Sequence, residues 1–174
     1  EPNATVDVSI TDGADNTVSA QVTADGDGNW SLPSSGLDVS GLQDGLLTVS
    51  ATAIDSAGNP SAPATATVTK DAAIPSAPTI SAPIETDGIV NAAEKADVML
   101  EGVVEPGSTV DVTFTDGEGT VVTAEVVADG DGNWSLPGDG VDLTGLADGE
   151  IAIEVIATDA AGNESVATTA TVTK

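Results

Sequence analysis

The chain has 174 residues, with 29 acidic side chains, 3 basic side chains and no histidine, which gives a formal net charge of −26. A chain this acidic repels nucleic acids and anionic lipids, so those partners are excluded, whereas divalent cations or a basic partner would be attracted. The sequence has no cysteine, which excludes disulfides, and no run of about 18 apolar residues, which excludes a membrane-inserted helix.

An internal repeat organises the chain. Residues 1–70 align without a gap with residues 105–174, and roughly 40 of the 70 aligned positions are identical. The stretch ADGDGNWSLP occurs unchanged at 24–33 and 128–137. We therefore expect two modules, over 1–70 and 71–174. The first has no counterpart of residues 71–104, so we expect it to lack its first two strands, with the missing part upstream in a longer protein.

Alternation of apolar and polar residues predicts β-strands throughout. In the first module the apolar rows run over 6–10, 18–22 and 47–53. Turn-forming clusters of Gly, Asp, Asn and Pro follow every 8–12 residues or so, which is typical of an antiparallel sandwich. The gaps are too short for the helical crossovers of a parallel sheet. In the second module the pattern predicts seven strands, near 78–82, 97–104, 109–115, 120–127, 132–136, 150–158 and 165–173.

Up-and-down strand order sorts the predicted loops of the second module to two ends. We call them the linker end, with loops 105–108, 128–133 and 159–163, and the far end, with loops 85–97, 115–119 and 138–150. The segment 70–78 is the predicted linker between the modules, and Pro75 and Pro78 keep it extended. Because it is short, we expect the modules to follow each other with little slack.

Several strings resemble one known family. They are EPGSTVDV (105–112), DGDGNWSL (129–136), LADGEIAIEVIATDAAGNES (146–165), ETDGIVNAAE (85–94) and the linker Asp71 with Pro75. In their order and spacing they are similar to the bacterial Ig-like repeats that extend giant RTX and Bap-like adhesins of Gram-negative bacteria. The resemblance implies an all-β fold of tandem immunoglobulin-like antiparallel β-sandwiches, with about seven strands per module. It also implies type I secretion, an extracellular location at the cell surface, and calcium at or near the module junctions.

The expected function is therefore a structural extender, or spacer. Stiffened by calcium, it would project an adhesive tip for attachment or biofilm formation. The expected partners are the neighbouring modules of the same chain, with no small-molecule substrate and a monomeric state. Two alternatives stay open: a module that recognises a host glycan or protein, and an ice- or surface-adsorbing face. That face would use the outward threonines of the last strands: Thr65, Thr67, Thr69, Thr169, Thr171 and Thr173.

Oxygen-bearing side chains in the loops are the candidate calcium ligands, because Ca²⁺ takes six to eight oxygen ligands. At the linker end, three carboxylates drawn together without a cation would repel one another. The alternatives are that Asp159 only orders its turn, that Glu105 is solvated, and that 87–94 is an Asx-turn followed by a helical turn. The residues carried over from the family are Asp71, Glu105 and Asp159 at the linker end, Asp87, Asn91 and Glu94 in the first loop, and Glu1 and Asp55 in the first module.

The repeated DGDGNW string superficially matches an EF-hand loop. The match fails because Trp30 or Trp134 stands at the sixth position, where the loop needs glycine. We predict instead a hairpin turn that leads a core tryptophan into a strand, rather than a sugar-stacking platform. Catalysis is not expected, because histidine, cysteine, tyrosine and arginine are all absent and a repeated array seldom carries different chemistry in each copy.

Overall fold

A computed structural model describes residues 1–82, 84–138 and 140–174. The fold is all-β, and no α-helix occurs in those ranges; one 3₁₀ turn spans Ile84–Thr86. The chain divides into two compact units, Glu1–Ala72 and Ala73–Lys174. No helix in the described part is long and apolar enough to cross a membrane. Asp139, within the predicted loop 138–150, lies outside the described residues.

The first unit is a single antiparallel sheet. Its strand order is β2-β1-β3-β4, and its register sets Val8 of β1 opposite Ala20 and Ala51. Since side chains alternate between the faces of a strand, one face is apolar and the other carries Thr, Ser, Asp and Gln. The strands are β1 (Thr5–Thr11), β2 (Thr17–Thr23), β3 (Gly45–Ile54) and β4 (Ala64–Lys70).

The second unit repeats that sheet and adds a second layer. The four-stranded sheet has the order β10-β9-β6-β7, and the two-stranded sheet pairs β5 with β8. An antiparallel bridge between Val98 and Val141 extends the smaller sheet. The arrangement is a β-sandwich, as the sequence predicted. The strands are β5 (Glu101–Val103), β6 (Thr109–Thr115), β7 (Val121–Val127), β8 (Asn133–Ser135), β9 (Glu150–Thr158) and β10 (Thr168–Thr173).

The core of the second unit lies between its two layers. Phe114, Leu143, Ile151 and Val155 are completely buried there, and Trp134 closes the core from β8. Burying one large aliphatic side chain stabilises the folded state by roughly 1.5–3 kcal/mol relative to leaving it exposed. Phe114, Ile151 and Val155 lie in strands that alternation predicted, whereas Leu143 lies in the predicted loop 138–150.

Two predicted strands of the second unit, 78–82 and 97–104, differ most from the structure. Strand 97–104 is reduced to Glu101–Val103. The segment near 78–82 forms no regular strand, although the N–H groups of Thr79 and Ser81 donate to the carbonyl oxygens of Val103 and Glu101. Pro78 offers no N–H to a ladder, which limits regular pairing at this edge. In residues 73–82, 84–138 and 140–174 the unit therefore has six strands and an extended edge segment.

The predicted sorting of the loops agrees with the strand register. Thr109 at the start of β6 faces Val127 at the end of β7 and Thr158 at the end of β9. Loops 105–108, 128–133 and 159–163 therefore meet at one end of the sheet. Ala128 N–H donates to the Ser108 carbonyl (2.9 Å), which joins two of these loops directly.

Candidate functional site

In the part of the chain that the structure describes, six turns share one aspartate-centred arrangement. In each, Oδ1 of the aspartate accepts the backbone N–H groups of the residues two and four positions later, at 2.8–2.9 Å. Five turns place a glycine three positions later at φ between +83° and +91°, where a side chain would be strained. The loop acids are thus first of all turn formers. The six are Asp12, Asp25, Asp55, Asp116, Asp129 and Asp159.

Hydrogen bonding lowers the pKa of all six carboxyl groups. Side-chain or backbone amides four positions later are the main cause for Asp25, Asp55, Asp129 and Asp159. The ionised form accepts these bonds and the protonated form accepts them less well, so hydrogen bonding favours the carboxylate. At neutral pH these turns therefore hold fixed negative charges.

Asp12 and Asp116 differ from the other four because they are buried and reach a second loop. Oδ2 of Asp116 accepts the N–H of Ala147 at 2.7 Å, and Oδ2 of Asp12 accepts the N–H of Gln43 at 2.8 Å. The Gln43 N–H is the first cause that lowers the pKa of Asp12, to about 2, and the Ala147 N–H lowers that of Asp116. This role was not predicted, although both residues stand in a TDG string at the end of a strand.

Predicted calcium ligands at the linker end are Asp71, Glu105 and Asp159. Asp159 is half-buried and accepts three bonds: from the N–H groups of Ala161 and Asn163 and from the Asn163 side-chain amide. These bonds hold the Asp159 carboxylate in its own turn. Glu105 is exposed and lies in the same unit, whereas Asp71 belongs to the first unit. Their assignment to one calcium site therefore rests on the sequence.

The first loop of the second unit, residues 85–97, is closed by hydrogen bonds between its side chains and its own backbone. Oδ1 of Asp87 accepts the N–H of Ile89, and Oδ1 of Asn91 accepts the N–H of Ala93. Oε2 of Glu94 returns to the N–H of Asn91 at 3.0 Å. This reciprocal pattern is a capping box over one helical turn, the arrangement considered above as the alternative to calcium. The three side chains are therefore engaged with their own backbone.

The two calcium candidates of the first unit, Glu1 and Asp55, make the same local hydrogen bonds as Glu105 and Asp159 in the second unit. Glu1 is exposed and its carbonyl accepts the Ala4 N–H, while Asp55 anchors the turn to Asn59. Among the residues that the structure describes, no three acidic side chains come close enough together to hold a metal ion. The donor chemistry suits Ca²⁺, but a site within one unit would have to be completed by backbone carbonyls and water.

Two of the three basic residues, one in each unit, donate equivalent hydrogen bonds to a loop carbonyl. Lys70 Nζ donates to the Leu42 carbonyl at 2.8 Å and to the Asp44 carboxylate at 2.7 Å. Lys174, 104 positions later, donates to the Leu146 carbonyl. Each lysine fixes the last strand of its unit to the long loop before the third long strand of that unit. The sequence clue was the lysine that ends each repeat.

The repeated tryptophan has two environments. Trp134 is 2% exposed and pairs across β5–β8 with Gly102, as expected of a core anchor. Trp30 is 44% exposed, and residues 29–31 form no strand although their sequence is the same. The difference follows from β5, which the second unit supplies and the first unit does not.

Hydroxyl side chains cover the outer face of the first sheet in register. Cross-strand hydroxyl pairs stabilise a sheet and exposed threonine is ordinary there, so these rows need no ligand to account for them. In the second unit the matching rows are interrupted by Val121, Ala152 and Glu154. The rows of the first unit are Thr17–Thr11–Thr48–Thr67 and Ser19–Ser9–Ser50–Thr65.

Comparison with protein families identifies both units. Residues 82–174 match the model of a bacterial Ig domain, and residues 1–72 match the model of a bacterial Ig-like domain. The chain belongs to the bacterial Ig domains. No curated protein matches the sequence at a significant level.

Solved structures similar to these bacterial Ig domains come from large adhesins. A tetra-tandem repeat in the extending region of a large adhesion protein is 36% identical, with 99% of this chain and 42% of that chain covered and a TM-score of 0.47. A Ca²⁺-stabilised adhesin of an Antarctic bacterium that binds ice is 26% identical, with 98% and 40% covered and a TM-score of 0.46. A bacterial immunoglobulin-like domain of the M. primoryensis ice-binding adhesin is 30% identical, with 58% and 96% covered and a TM-score of 0.37.

The chain is shorter than the first of these relatives. It spans 42%, 53% and 40% of the lengths of the first three solved chains that it matches.

Proposed function

We propose that the chain is part of the extender region of a large bacterial cell-surface adhesin. The tandem modules act as spacers that hold an adhesive tip away from the cell for attachment or biofilm formation, and they carry out no catalysis. The observation that carries the proposal is repetition in detail. Both units keep the same strand order, the same aspartate-centred turns and the same terminal lysine bond.

Repetition of this kind supports a mechanical role. A spacer needs copies of one stable unit, and the features kept in both units are those that fix loops to sheets: the pairs Asp12/Asp116 and Lys70/Lys174. Family membership of both halves of the chain supports the same conclusion. An extracellular location at the cell surface and export by a type I system belong to this proposal.

Calcium is the second part of the proposal. The linker-end acids Asp71, Glu105 and Asp159 bind Ca²⁺ weakly and stiffen the array, and the far-end loop with Asp87, Asn91 and Glu94 is the second candidate. The support is the partial exposure of Asp159, the exposure of Glu105 and a net charge of −26, which favours divalent cations.

Calcium binding is expected to stabilise the folded state measurably. For a weak extracellular site with a Kd on the order of 10⁻⁴ M, about 10 mM free calcium is roughly 100 times Kd and stabilises the folded state by about 2.7 kcal/mol. For a domain of about 100 residues, this raises the melting midpoint by roughly 10 °C or more. Thermal melting in calcium and in chelator measures this shift, and X-ray scattering under both conditions tests stiffening.

Screening of a highly charged chain must be separated from site binding. Sodium chloride at matched ionic strength supplies the first control. Glu105→Gln should remove most of the calcium-specific shift, whereas Glu125→Gln, an equal charge change on the exposed face of β7, should leave it intact. Equal midpoints in calcium and in sodium at matched ionic strength would refute the calcium part while leaving the spacer role in place.

A further inference from the structure

A polar groove lies on the outer face of the two-stranded sheet in the second unit. It has a volume of about 450 Å³, within the range of about 300–1,000 Å³ that is typical of small-ligand sites. The edge segment near 78–82, β5, the end of β7 and β8 all contribute to it. We call it the β5–β8 groove. The polar side chains that line it are Ser81, Glu101, Asp129, Asn133 and Ser135.

Main-chain pairing fixes the positions of these side chains. Glu101 stands opposite Ser135 and Val103 opposite Asn133, while the residues between them are buried in the core. Ser81 lies on the other side of β5, since its N–H donates to the Glu101 carbonyl at 2.8 Å. Paired strands are about 4.8 Å apart, so one row of polar side chains crosses three chain segments. The groove is therefore formed before any ligand binds.

The groove has hydrogen-bonding capacity to spare. The side chains of Ser81, Glu101 and Ser135 are exposed and bond to no other residue in the described part of the chain. The Asn133 side-chain amide makes only long bonds to the Asp129 carboxylate, at 3.2 and 3.3 Å. Hydroxyl, amide and carboxylate groups together can both donate and accept hydrogen bonds. Neighbouring hydroxyl groups of a sugar need both kinds of partner.

The rim and the charge of the groove narrow the ligand class further. Val103 and Val127 are 48% and 66% exposed beside the polar row, and the C–H face of a sugar ring can cover such apolar surface. The charged residues among the described lining are Glu101 and Asp129, both acidic, in a chain with a net charge of −26. An acidic sugar is therefore repelled, whereas a sugar with an ammonium group gains a charge-assisted hydrogen bond.

We propose that the β5–β8 groove binds a saccharide built from amino sugars. The ammonium group of one ring pairs with Glu101, the exposed carboxylate in the middle of the polar row. Ring hydroxyl groups bond to Asn133 and Ser135, and the C–H face of the ring lies against the two exposed valines. This activity goes beyond the spacer role, because it attaches the modules themselves, rather than a distant tip, to a surface or matrix that contains amino sugars.

The test titrates the full chain with two tetrasaccharides in weakly acidic buffer. Tetraglucosamine carries ammonium groups, and tetra-N-acetylglucosamine is the matched control, with the same rings and linkage but no charge. The charged sugar should bind at least about tenfold more tightly in calorimetry. Binding should also shift the NMR resonance of the Asn133 side-chain amide, which places the ligand in the groove.

Two variants with equal charge changes locate the ammonium contact. Glu101→Gln should weaken the binding of tetraglucosamine by at least about tenfold, because a charge-assisted bond to the ligand is lost. Glu125→Gln lies on the exposed face of β7 and outside the groove, so solvent screening should keep its effect within about twofold. Both side chains are exposed, so neither change should disturb the fold.

Three results would overturn the proposal. The first is an absence of binding by either sugar. The second is equal affinity for the two sugars, which would remove the role of the ammonium group. The third is an equal loss in the two variants, or equal affinity for tetralysine, which would show a general attraction of cations to an acidic chain.

Discussion

One ten-residue sequence occurs in both units but has different structural surroundings in each. The ten residues ADGDGNWSLP are identical at 24–33 and 128–137, yet Asn133–Ser135 form a strand and residues 29–31 do not. The turn at the start of the string is the same in both, because it is closed by its own aspartate. The strand after it forms only where β5 supplies a partner. Local chemistry therefore fixes the turns, whereas a distant segment decides whether the tryptophan has a core.

The largest expected difference between the units concerns that tryptophan. Trp134→Ala should destabilise the second unit by about 3–5 kcal/mol, since it empties a buried site. Trp30→Ala should cost less than about 1 kcal/mol, as for a surface substitution. Urea denaturation followed by far-ultraviolet circular dichroism measures both, and equal losses would contradict the account of the two environments.

Lysine replacements sharpen the comparison on a smaller scale. Lys174→Met should destabilise the second unit by about 1.5–3 kcal/mol, because a charged donor to the Leu146 carbonyl is lost from a side chain that is 5% exposed. Lys70→Met should cost less, because its side chain and that of Asp44 are 16% and 41% exposed. Asp148→Asn is the control and should change almost nothing, since that carboxylate is 90% exposed. Thermal melts rank the three variants.

The buried aspartates allow a finer test. Asp116→Asn keeps a side-chain oxygen that can accept the N–H groups of the turn. The other side-chain atom becomes an NH₂ group, which cannot accept the N–H of Ala147, so that bond is lost and the melting midpoint should fall. Asp129→Asn is the matched change in an exposed turn, where Oδ2 accepts only a 3.2 Å bond from Asn133. The fall should be clearly smaller there. Similar midpoints for the two variants would remove the special role of Asp116.

Acid should weaken both units through the same groups. The folded-state pKa of Asp12 is about 2 and those of the other turn aspartates are also lowered, so their contribution is present above about pH 4. It is lost progressively as the pH falls from about 4 towards 2, because the carboxylates must then be protonated. Melting midpoints measured from pH 7 to pH 2 should follow this course, and Asp12→Asn should flatten it.

Much of the fold could be predicted from alternation. The limits of 109–115 and 150–158 agree with β6 and β9, because both strands have one buried face and a clear period of two. The edge near 78–82 could not be predicted well, since pairing there depends on prolines and on β5. The string DGDGNW was predicted to lead a core tryptophan into a strand in both units, and the exposure of Trp30 shows that the string does not decide this by itself, although the repeat alignment had predicted that the first module lacks two strands.

The site was less predictable than the fold, since an acidic residue in a loop has several possible roles. Sequence reasoning proposed Asp159 and Asp55 as metal ligands and considered turn formation as the alternative for Asp159; the structure shows both carboxylates accepting their own turn amides. Asp116 was not singled out, because its bond to Ala147 spans 31 residues. The calcium assignments remain predictions.

Hydrogen exchange at two equivalent amides tests the central claim most directly. Both lie in the identical ten-residue string, so intrinsic exchange rates match and any difference reports the surroundings. In the free chain, the account predicts slow exchange at Leu136, whose N–H donates to Leu100, and fast exchange at Leu32. Equal protection at the two positions would contradict the claim that residues 79–104 make the difference between the units.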